Sequence, residues 1–148
     1  MTMEMPAGIT RERESCDGRQ WNIFGSDYRP VAEAESCFAF VTDDPPGAEV
    51  PPHVHPGQDE FIHVLEGRYE LLLDGAPVTA KPGDLVRLPR GGSHGYANRT
   101  QERARALFWV SPAGRLAALF EALDGLTDME RAVALAAEHG VEFLPPAG

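Results

Sequence analysis

Residues 47–67 read GAEVPPHVHPGQDEFIHVLEG, with two histidines and a glutamate at close spacing. His53 and His55 are two residues apart, so both imidazoles point to the same side if this segment is extended. Prolines on both sides of the pair disfavour a helix and support the extended conformation. Pro56 and Gly57 then signal a turn, and a hairpin built on that turn would return Glu60 beside the two histidines.

Residues 83–98 read GDLVRLPRGGSHGYAN and supply a further histidine, His94, after a turn rich in proline and glycine. It begins a predicted strand, where an inward-facing fourth ligand could lie. An isolated His-x-His pair is often a chance arrangement of surface or core histidines. Here the pair comes with a carboxylate and a distant histidine, so the sequence predicts a metal site formed by His53, His55, Glu60 and His94.

The predicted ligand set restricts the ion that the site can bind. Three neutral imidazoles and one carboxylate suit a divalent transition-metal ion (Fe, Mn, Ni, Zn, Co or Cu), whereas calcium and magnesium prefer shells of oxygen. Four protein ligands on an ion that accepts five or six leave room for water, dioxygen or a small-molecule substrate. We therefore expect one divalent ion in an open, reactive site.

The rest of the chain shows the pattern of an all-β protein. Short apolar runs alternate with turns, to which the 15 glycines and 13 prolines contribute. Asp74-Gly75 is a two-residue hairpin signal, and residues 43–47 are predicted as a turn. The predicted strands are 20–28, 37–42, 60–66, 69–73, 78–81, 85–88, 95–98 and 104–110. Candidate pocket-lining residues are Phe38, Phe40, Tyr69, Tyr96 and Phe108, although alternation leaves open which face of the sheet they line.

The periodicity becomes helical after Val110, which divides the chain into an N-terminal arm (1–17), a barrel (18–110) and a helical tail (111–148). Ser111 is predicted to cap the first helix, and Thr127 with Glu130 resembles a capping box for the second. We expect the helices to cover the barrel or a partner subunit. The predicted apolar stripes are Leu116, Leu119, Phe120 and Leu123 in the first helix, and Met129, Ala132, Val133 and Ala136 in the second.

The two histidine-containing segments resemble the two sequence motifs of the cupin superfamily. All fixed motif positions are filled, by Gly47, His53, His55, Glu60 and Gly67, and then by Gly83, Pro89, Gly91, His94 and Asn98. The resemblance implies a single-domain cupin, a double-stranded β-helix or jelly-roll barrel, with the three histidines and the glutamate as metal ligands. The tail is similar to that of small cupins described as quercetin dioxygenase-like.

This resemblance implies a metal-dependent oxygenase acting on a small apolar, aromatic or enolic molecule. Glu60 would then also take a proton from a substrate hydroxyl, and the protein would be a homodimer. Two alternatives use the same residues: a non-oxidative isomerase, cyclase or decarboxylase that uses the metal as a Lewis acid, and a cupin that binds a small molecule without catalysis. The ligand set alone does not separate these three functions.

The composition of the chain indicates which classes of partner are disfavoured and which cellular compartment is expected. With 13 basic and 23 acidic residues the chain has a formal charge of −10, which disfavours nucleic acid and anionic membranes as partners. Residues 1–15 are charged and lack the apolar segment of a secretion signal, so we expect a cytoplasmic protein in which Cys16 and Cys37 are reduced.

One further histidine lies close to the predicted ligands. His63 is three residues beyond Glu60, so the two-residue period of a strand places it on the opposite face of the sheet. We expect it to point outward and not to bind the metal.

Overall fold

A computed structural model of the chain describes residues 5–145, which form two antiparallel sheets and two short helices. The first sheet has six strands in the order β1-β2-β3-β10-β5-β8, and the second has five in the order β11-β4-β9-β6-β7. The strands are β1 (Trp21–Ile23), β2 (Ser26–Glu33), β3 (Phe38–Asp44), β4 (Glu49–Val54), β5 (Asp59–Glu66), β6 (Tyr69–Leu73), β7 (Ala76–Ala80), β8 (Leu85–Leu88), β9 (Ser93–Ala97), β10 (Ala104–Ser111) and β11 (Glu142–Phe143). The helices are α1 (Leu116–Leu123) and α2 (Met129–Glu138). The all-β jelly-roll architecture with a helical tail is as predicted.

The predicted strand 20–28 is in fact two strands. Phe24 and Gly25 both have positive φ (48° and 92°) and form a tight turn that pairs β1 with β2. The prediction was wrong because phenylalanine rarely occupies the first position of such a turn, so Gly25 alone marks it in the sequence. The predicted turn at 43–47 is also shorter, because β3 continues through Asp44, which pairs with Ala104.

Both predicted helix caps are wrong. Ser111 is the last residue of β10, and its hydroxyl donates a hydrogen bond to the carbonyl of Ser36 (2.9 Å). The N-cap of α1 is Arg115, which makes no side-chain capping bond. In α2 the cap is Asp128, whose carboxylate accepts a hydrogen bond from the Arg131 N–H.

The apolar stripe was predicted correctly for α1 but only in part for α2. The four predicted residues of α1 are all buried. In α2 the buried residues are Ala132, Leu135 and Ala136, whereas Met129 and Val133 are exposed. The helix is short and mostly alanine on its buried side, so hydrophobicity alone did not identify that side.

Helix α1 packs its buried side against the core of the barrel. The Phe120 ring lies 4.9 Å, between centroids, from the rings of both Tyr28 and Phe40, and 5.6 Å from that of Trp21. Because these rings belong to the first three strands, the helix is part of the core of the barrel. No described helix is long and apolar enough to span a bilayer.

The N-terminal arm lies along the free edge of β2. The Thr10 hydroxyl donates to the carbonyl of Val31 (2.7 Å), and the Cys16 N–H donates to that of Pro30 (2.9 Å). These bonds satisfy edge carbonyls that β1 is too short to reach. Residues 1–4 of the predicted arm and 146–148 of the predicted tail lie outside the described residues.

Gly67, a fixed residue of the first motif, allows the β5–β6 turn to pack against β10. Its φ is +74°, and a Cβ placed on it would lie 2.8 Å from the Cα of Ala104 and from the Arg103 carbonyl oxygen. Both the backbone conformation and the close approach therefore require glycine.

We expect Gly67→Ala to lower the free energy of unfolding by about 2–5 kcal/mol, from left-handed strain and overpacking combined. Gly83→Ala is the matched control, because Gly83 has φ +93° but a Cβ placed on it would have nothing within 4 Å. Strain alone should cost this variant about 1–2 kcal/mol. Urea unfolding of both variants measures the difference, and equal losses would contradict the packing role of Gly67.

Candidate metal centre

The four predicted ligand residues meet inside the barrel. His53 and His94 lie opposite each other on the paired strands β4 and β9, His55 follows β4, and Glu60 is on β5 in the other sheet. All four side chains are buried, with no more than 5% of any residue exposed. Their candidate ligand atoms lie within 4.8 Å of one another. This buried group could hold a metal ion.

The route by which Glu60 reaches the histidines differs from the predicted hairpin. Strand β4 pairs with β9 and β11, whereas β5 pairs with β10 and β8. The turn at residues 56 and 57 carries the chain from one sheet to the other. Glu60 therefore faces the histidines across the barrel interior, and the candidate centre depends on both sheets.

Hydrogen bonds orient two of the imidazoles. The Nδ1 of His53 lies 2.9 Å from the carbonyl oxygen of Pro51, which can only accept, so Nδ1 carries the proton. The Nδ1 of His55 lies 2.9 Å from Oε1 of Gln58. In both rings the Nε2 atom is left with a lone pair, the form that binds a metal.

Gln58 is held in this orientation by the start of the helical tail. Its amide NH₂ donates to the carbonyls of Pro112 (3.1 Å) and Ala113 (2.8 Å), so its Oε1 must face His55. Gly114 lies against the same amide, where a Cβ would come within 2.8 Å of Nε2. Gln58 was not predicted as a site residue, because nothing local links it to a segment more than 50 residues away.

Glu60 supplies a direct test of whether the group fits a cation. Its Oε2 atom is buried and makes no hydrogen bond within residues 5–145, although Nε2 of His94 lies 2.8 Å away and Nε2 of His55 lies 3.4 Å away. The lone pair of His55 thus faces a carboxylate oxygen, which is unfavourable unless a positive charge lies between them. A divalent cation would satisfy both atoms, so the residues present fit the ion predicted from the sequence.

The protonation states also fit a cation. Burial, with a smaller contribution from His94, lowers the pKa of His53 to about 3, so this ring is neutral at physiological pH. Burial alone would raise the pKa of Glu60, but its interactions with His94, His55 and His53 outweigh burial and lower that pKa to about 2. A neutral imidazole and an ionised carboxylate are the forms that bind metals.

A cavity of about 180 Å³ opens directly onto the group. Among the predicted pocket residues, Phe40, Tyr96 and Phe108 line it. Phe38 is not among its lining residues and packs between Trp21 and Phe120, and Tyr69 instead donates its hydroxyl hydrogen to Asp44 (2.6 Å). Alternation along a strand fixes the face on which a side chain lies but not its depth in the barrel.

The helical tail contributes part of the cavity wall, a role that was not predicted from the sequence. These lining residues are Leu116, Leu119, Phe120 and Leu123 of α1, Met129 and Ala132 of α2, Val141, and Phe143 of β11. The tail is therefore part of the candidate site as well as cover for the barrel.

His63 lies outside this group. It is half-buried, and its backbone pairs with Leu107 and Leu85 on the two neighbouring strands. Because His63 is three residues beyond Glu60 on β5, alternation along the strand puts the two side chains on opposite faces of the sheet. The expectation that it points outward is consistent with this position.

Comparison with known proteins identifies the family. Residues 40–110 match the family model described as the cupin domain. The chain is 32% identical over 93 residues to Protein SchB from Streptomyces halstedii, a match that covers 60% of this chain and 67% of SchB. The chain belongs to the cupin family.

Two further relatives match over shorter segments. Polyketide synthase CurC from Streptomyces cyaneus is 36% identical over 67 residues, 45% of this chain and 44% of CurC. Quercetin 2,3-dioxygenase from Bacillus subtilis (strain 168) is 35% identical over 77 residues, 52% of this chain and 22% of that enzyme. The chain thus spans less than half the length of either protein in these matches.

A solved structure has a similar fold. KdgF from Halomonas sp. superposes with a TM-score of 0.65, covering 72% of this chain and 94% of KdgF at 21% identity. At this identity the similarity concerns the fold alone.

We expect the protein to bind one divalent transition-metal ion. His94→Gln should weaken that binding by more than about 100-fold, because loss of a residue that only hydrogen-bonds to a ligand already lowers metal affinity by about 10–100-fold. His63→Gln is the matched control and should bind zinc as the wild type does. Competition with a chromogenic chelator measures the affinities. Equal losses in both variants would contradict the assignment of His94.

We expect Gln58→Leu to weaken metal binding by about 10–100-fold, because the proton on His55 is no longer fixed at Nδ1. Gln101→Leu makes the same change at an exposed loop position and should leave the affinity unchanged. The same chelator competition applies, with circular dichroism of the metal-free variants to check folding. Unchanged affinity in folded Gln58→Leu would show that Gln58 does not orient His55.

Proposed function

We propose that this protein is a metal-dependent enzyme that oxygenates a small, largely apolar molecule with an aromatic or enolic group. The observation that carries the proposal is the cavity, whose apolar wall ends at His53, His55 and Glu60 of the buried candidate metal group. Such a cavity binds an apolar substrate and excludes water from the reacting atoms.

The shape of the wall favours a planar substrate. The rings of Phe40 and Phe108 are stacked 5.1 Å apart at an angle of 12°, and Phe120 meets Phe40 edge-on. Because Phe40 and Phe108 stack on each other, their edges are what remains for a ligand, and the edge of one ring packs well against the face of another. An aromatic substrate bound here would direct one oxygen towards Glu60 and the histidines.

In this proposal Glu60 is the catalytic residue. Its carboxylate lines the cavity and would bind the ion through one oxygen, which leaves the other oxygen to accept the proton of a substrate hydroxyl. Neutral His53, held by the Pro51 carbonyl, keeps its position while the charge on the substrate changes. When bound, a redox-active divalent ion supplies a Lewis acid and a path for electrons between substrate and dioxygen.

A second candidate is a non-oxidative reaction, such as the cyclisation of an enolic substrate. The match to a protein named polyketide synthase, CurC, favours this candidate. The same residues would serve it, with Glu60 moving a proton and the apolar wall holding the chain of the substrate in a folded conformation. This reaction needs no oxygen, which provides the means of separating the two.

The test compares iron-loaded and zinc-loaded protein with flavonols and β-diketones, first under nitrogen and then in air. We expect oxygen uptake and spectral change only for the iron form in air, and not for Glu60→Gln. Oxygen electrodes and absorption spectra provide the measurements, with His63→Gln as the matched control.

Other outcomes distinguish the alternatives. Turnover under nitrogen by the zinc form would favour the non-oxidative candidate. Saturable binding without turnover in any condition would contradict both and favour a cupin that only binds its ligand.

The homodimer implied by the resemblance also stays a prediction. It is supported by the outer face of the six-stranded sheet, where Phe61 and Trp109 stack 5.2 Å apart and are only half-buried. Contact between two such faces would bury both rings.

A further inference from the structure

Two buried tyrosine hydroxyls lie in the wall of the cavity, on residues that are not candidate metal ligands. Tyr28 of β2 is 5% exposed and Tyr96 of β9 is 8% exposed, and both line the cavity. Their hydroxyl oxygens are 3.2 Å apart and hydrogen-bonded to each other. Most of the remaining wall is apolar, so this pair is an unusual feature that calls for a physical explanation.

Counting hydrogens shows that the pair has a donor to spare. Each phenol carries one hydrogen, and the bond between the two oxygens uses only one of them. Neither hydroxyl has another hydrogen-bond partner among the bonds of residues 5–145. One O–H of Tyr28 and Tyr96 is therefore left without an acceptor in a buried, apolar place, where an acceptor on a ligand would be most strongly favoured.

Packing fixes the position of the two hydroxyl oxygens. The Tyr28 ring stacks on Phe40 at 5.7 Å and meets Phe120 edge-on at 4.9 Å. The Tyr96 ring lies against Phe108 at 5.4 Å. With both rings held by aromatic neighbours, the hydroxyl pair keeps one position in the cavity wall and does not swing out to water.

The position of Tyr96 relates the pair to the candidate metal centre. Tyr96 is two residues beyond His94 on β9, so both side chains lie on the inner face, with Cα atoms roughly 6.6 Å apart along the strand. A molecule that placed one oxygen among the histidines and Glu60 would extend past this pair. The pair could then reach a second oxygen on the same molecule.

We propose that Tyr28 and Tyr96 are specificity-determining residues, which together donate one hydrogen bond to a second oxygen of the substrate. The inference rests on the proposed function and deepens it, because it defines the substrate as a planar molecule with two separated oxygen functions. One oxygen lies at the metal centre and the other at the tyrosine pair. An analogue without the second oxygen leaves the donor unpaired and is bound less well.

The experiment measures binding to zinc-loaded protein, in which no redox turnover occurs. The probes are 3-hydroxyflavone, 3,4′-dihydroxyflavone and 3,7-dihydroxyflavone, whose absorption shifts when the 3-hydroxy-4-keto group chelates the metal. The two added hydroxyls lie at opposite ends of the molecule, so the test does not presume which end meets the tyrosines. We expect the wild type to bind one of the dihydroxyflavones roughly five- to tenfold more tightly than 3-hydroxyflavone.

The variants show whether the tyrosines cause this preference. The double variant Tyr28→Phe/Tyr96→Phe should bind all three flavonols equally, whereas each single variant keeps one free hydroxyl and should retain part of the preference. Tyr69→Phe is the matched control, because it removes a buried hydroxyl that bonds to Asp44 and does not line the cavity. It should keep the wild-type ratio. Zinc stoichiometry and thermal midpoints check that each variant is folded.

Two results would overturn the inference while leaving the proposed function intact: equal binding of the three flavonols by the wild type, or an unchanged preference in the folded double variant. The first comparison needs no variant, so the inference is tested even if the double variant does not fold. Absence of any chelation shift with all three flavonols would overturn both the proposed function and this inference.

Discussion

The buried carboxylate of Glu60, which faces three imidazoles across the barrel, is the constraint on which the rest of the structure depends. An acceptor oxygen and the Nε2 lone pair of His55 lie 3.4 Å apart in a place from which water is excluded. In the absence of a cation this arrangement costs free energy, because the lone pair of His55 faces an acceptor oxygen and no donor. The fold must therefore hold the four side chains together despite this cost, and it does so with two separate sheets and with hydrogen bonds from outside the group.

Those outside bonds connect the centre to the helical tail. Gln58 orients His55 and is itself held by the carbonyls of Pro112 and Ala113, directly before α1. Helix α1 in turn forms one wall of the cavity and packs Phe120 against Tyr28 and Phe40. A displacement of the Pro112 and Ala113 carbonyls would thus alter the orientation of His55 through the amide of Gln58 alone. The tail and the barrel are best understood as one site with a shared core.

The sequence allowed prediction of the parts of the site that depend on short-range spacing. The period of a strand placed His53 and His55 on one side, and the turn residues around His94 marked the start of β9. The sequence did not predict how the chain runs from the histidines to Glu60. Whether β4 and β5 pair or lie in different sheets depends on contacts between distant segments. The same limit explains Tyr69, which faces inward as alternation requires but lies at the depth of Asp44 and away from the cavity. The predictions at Phe24 and at the start of α2 failed for local reasons. The turn lacks the usual first residue, and a cap shifted by one residue, from Thr127 to Asp128, leaves little trace in the sequence.

The positions of the site residues along the chain explain why the comparisons identify the family but not the substrate. All four candidate ligands lie inside residues 40–110, the segment that matches the cupin domain. Much of the cavity wall lies outside it, in Tyr28 before the segment and in Phe120 and Val141 after it. A relative that matches over the central segment can therefore share the means of binding a metal while its cavity has a different wall. In the proposed function the wall selects the substrate and the centre activates it, so similarity confined to residues 40–110 bears on the chemistry, whereas selection of the substrate also depends on wall residues on either side of that segment.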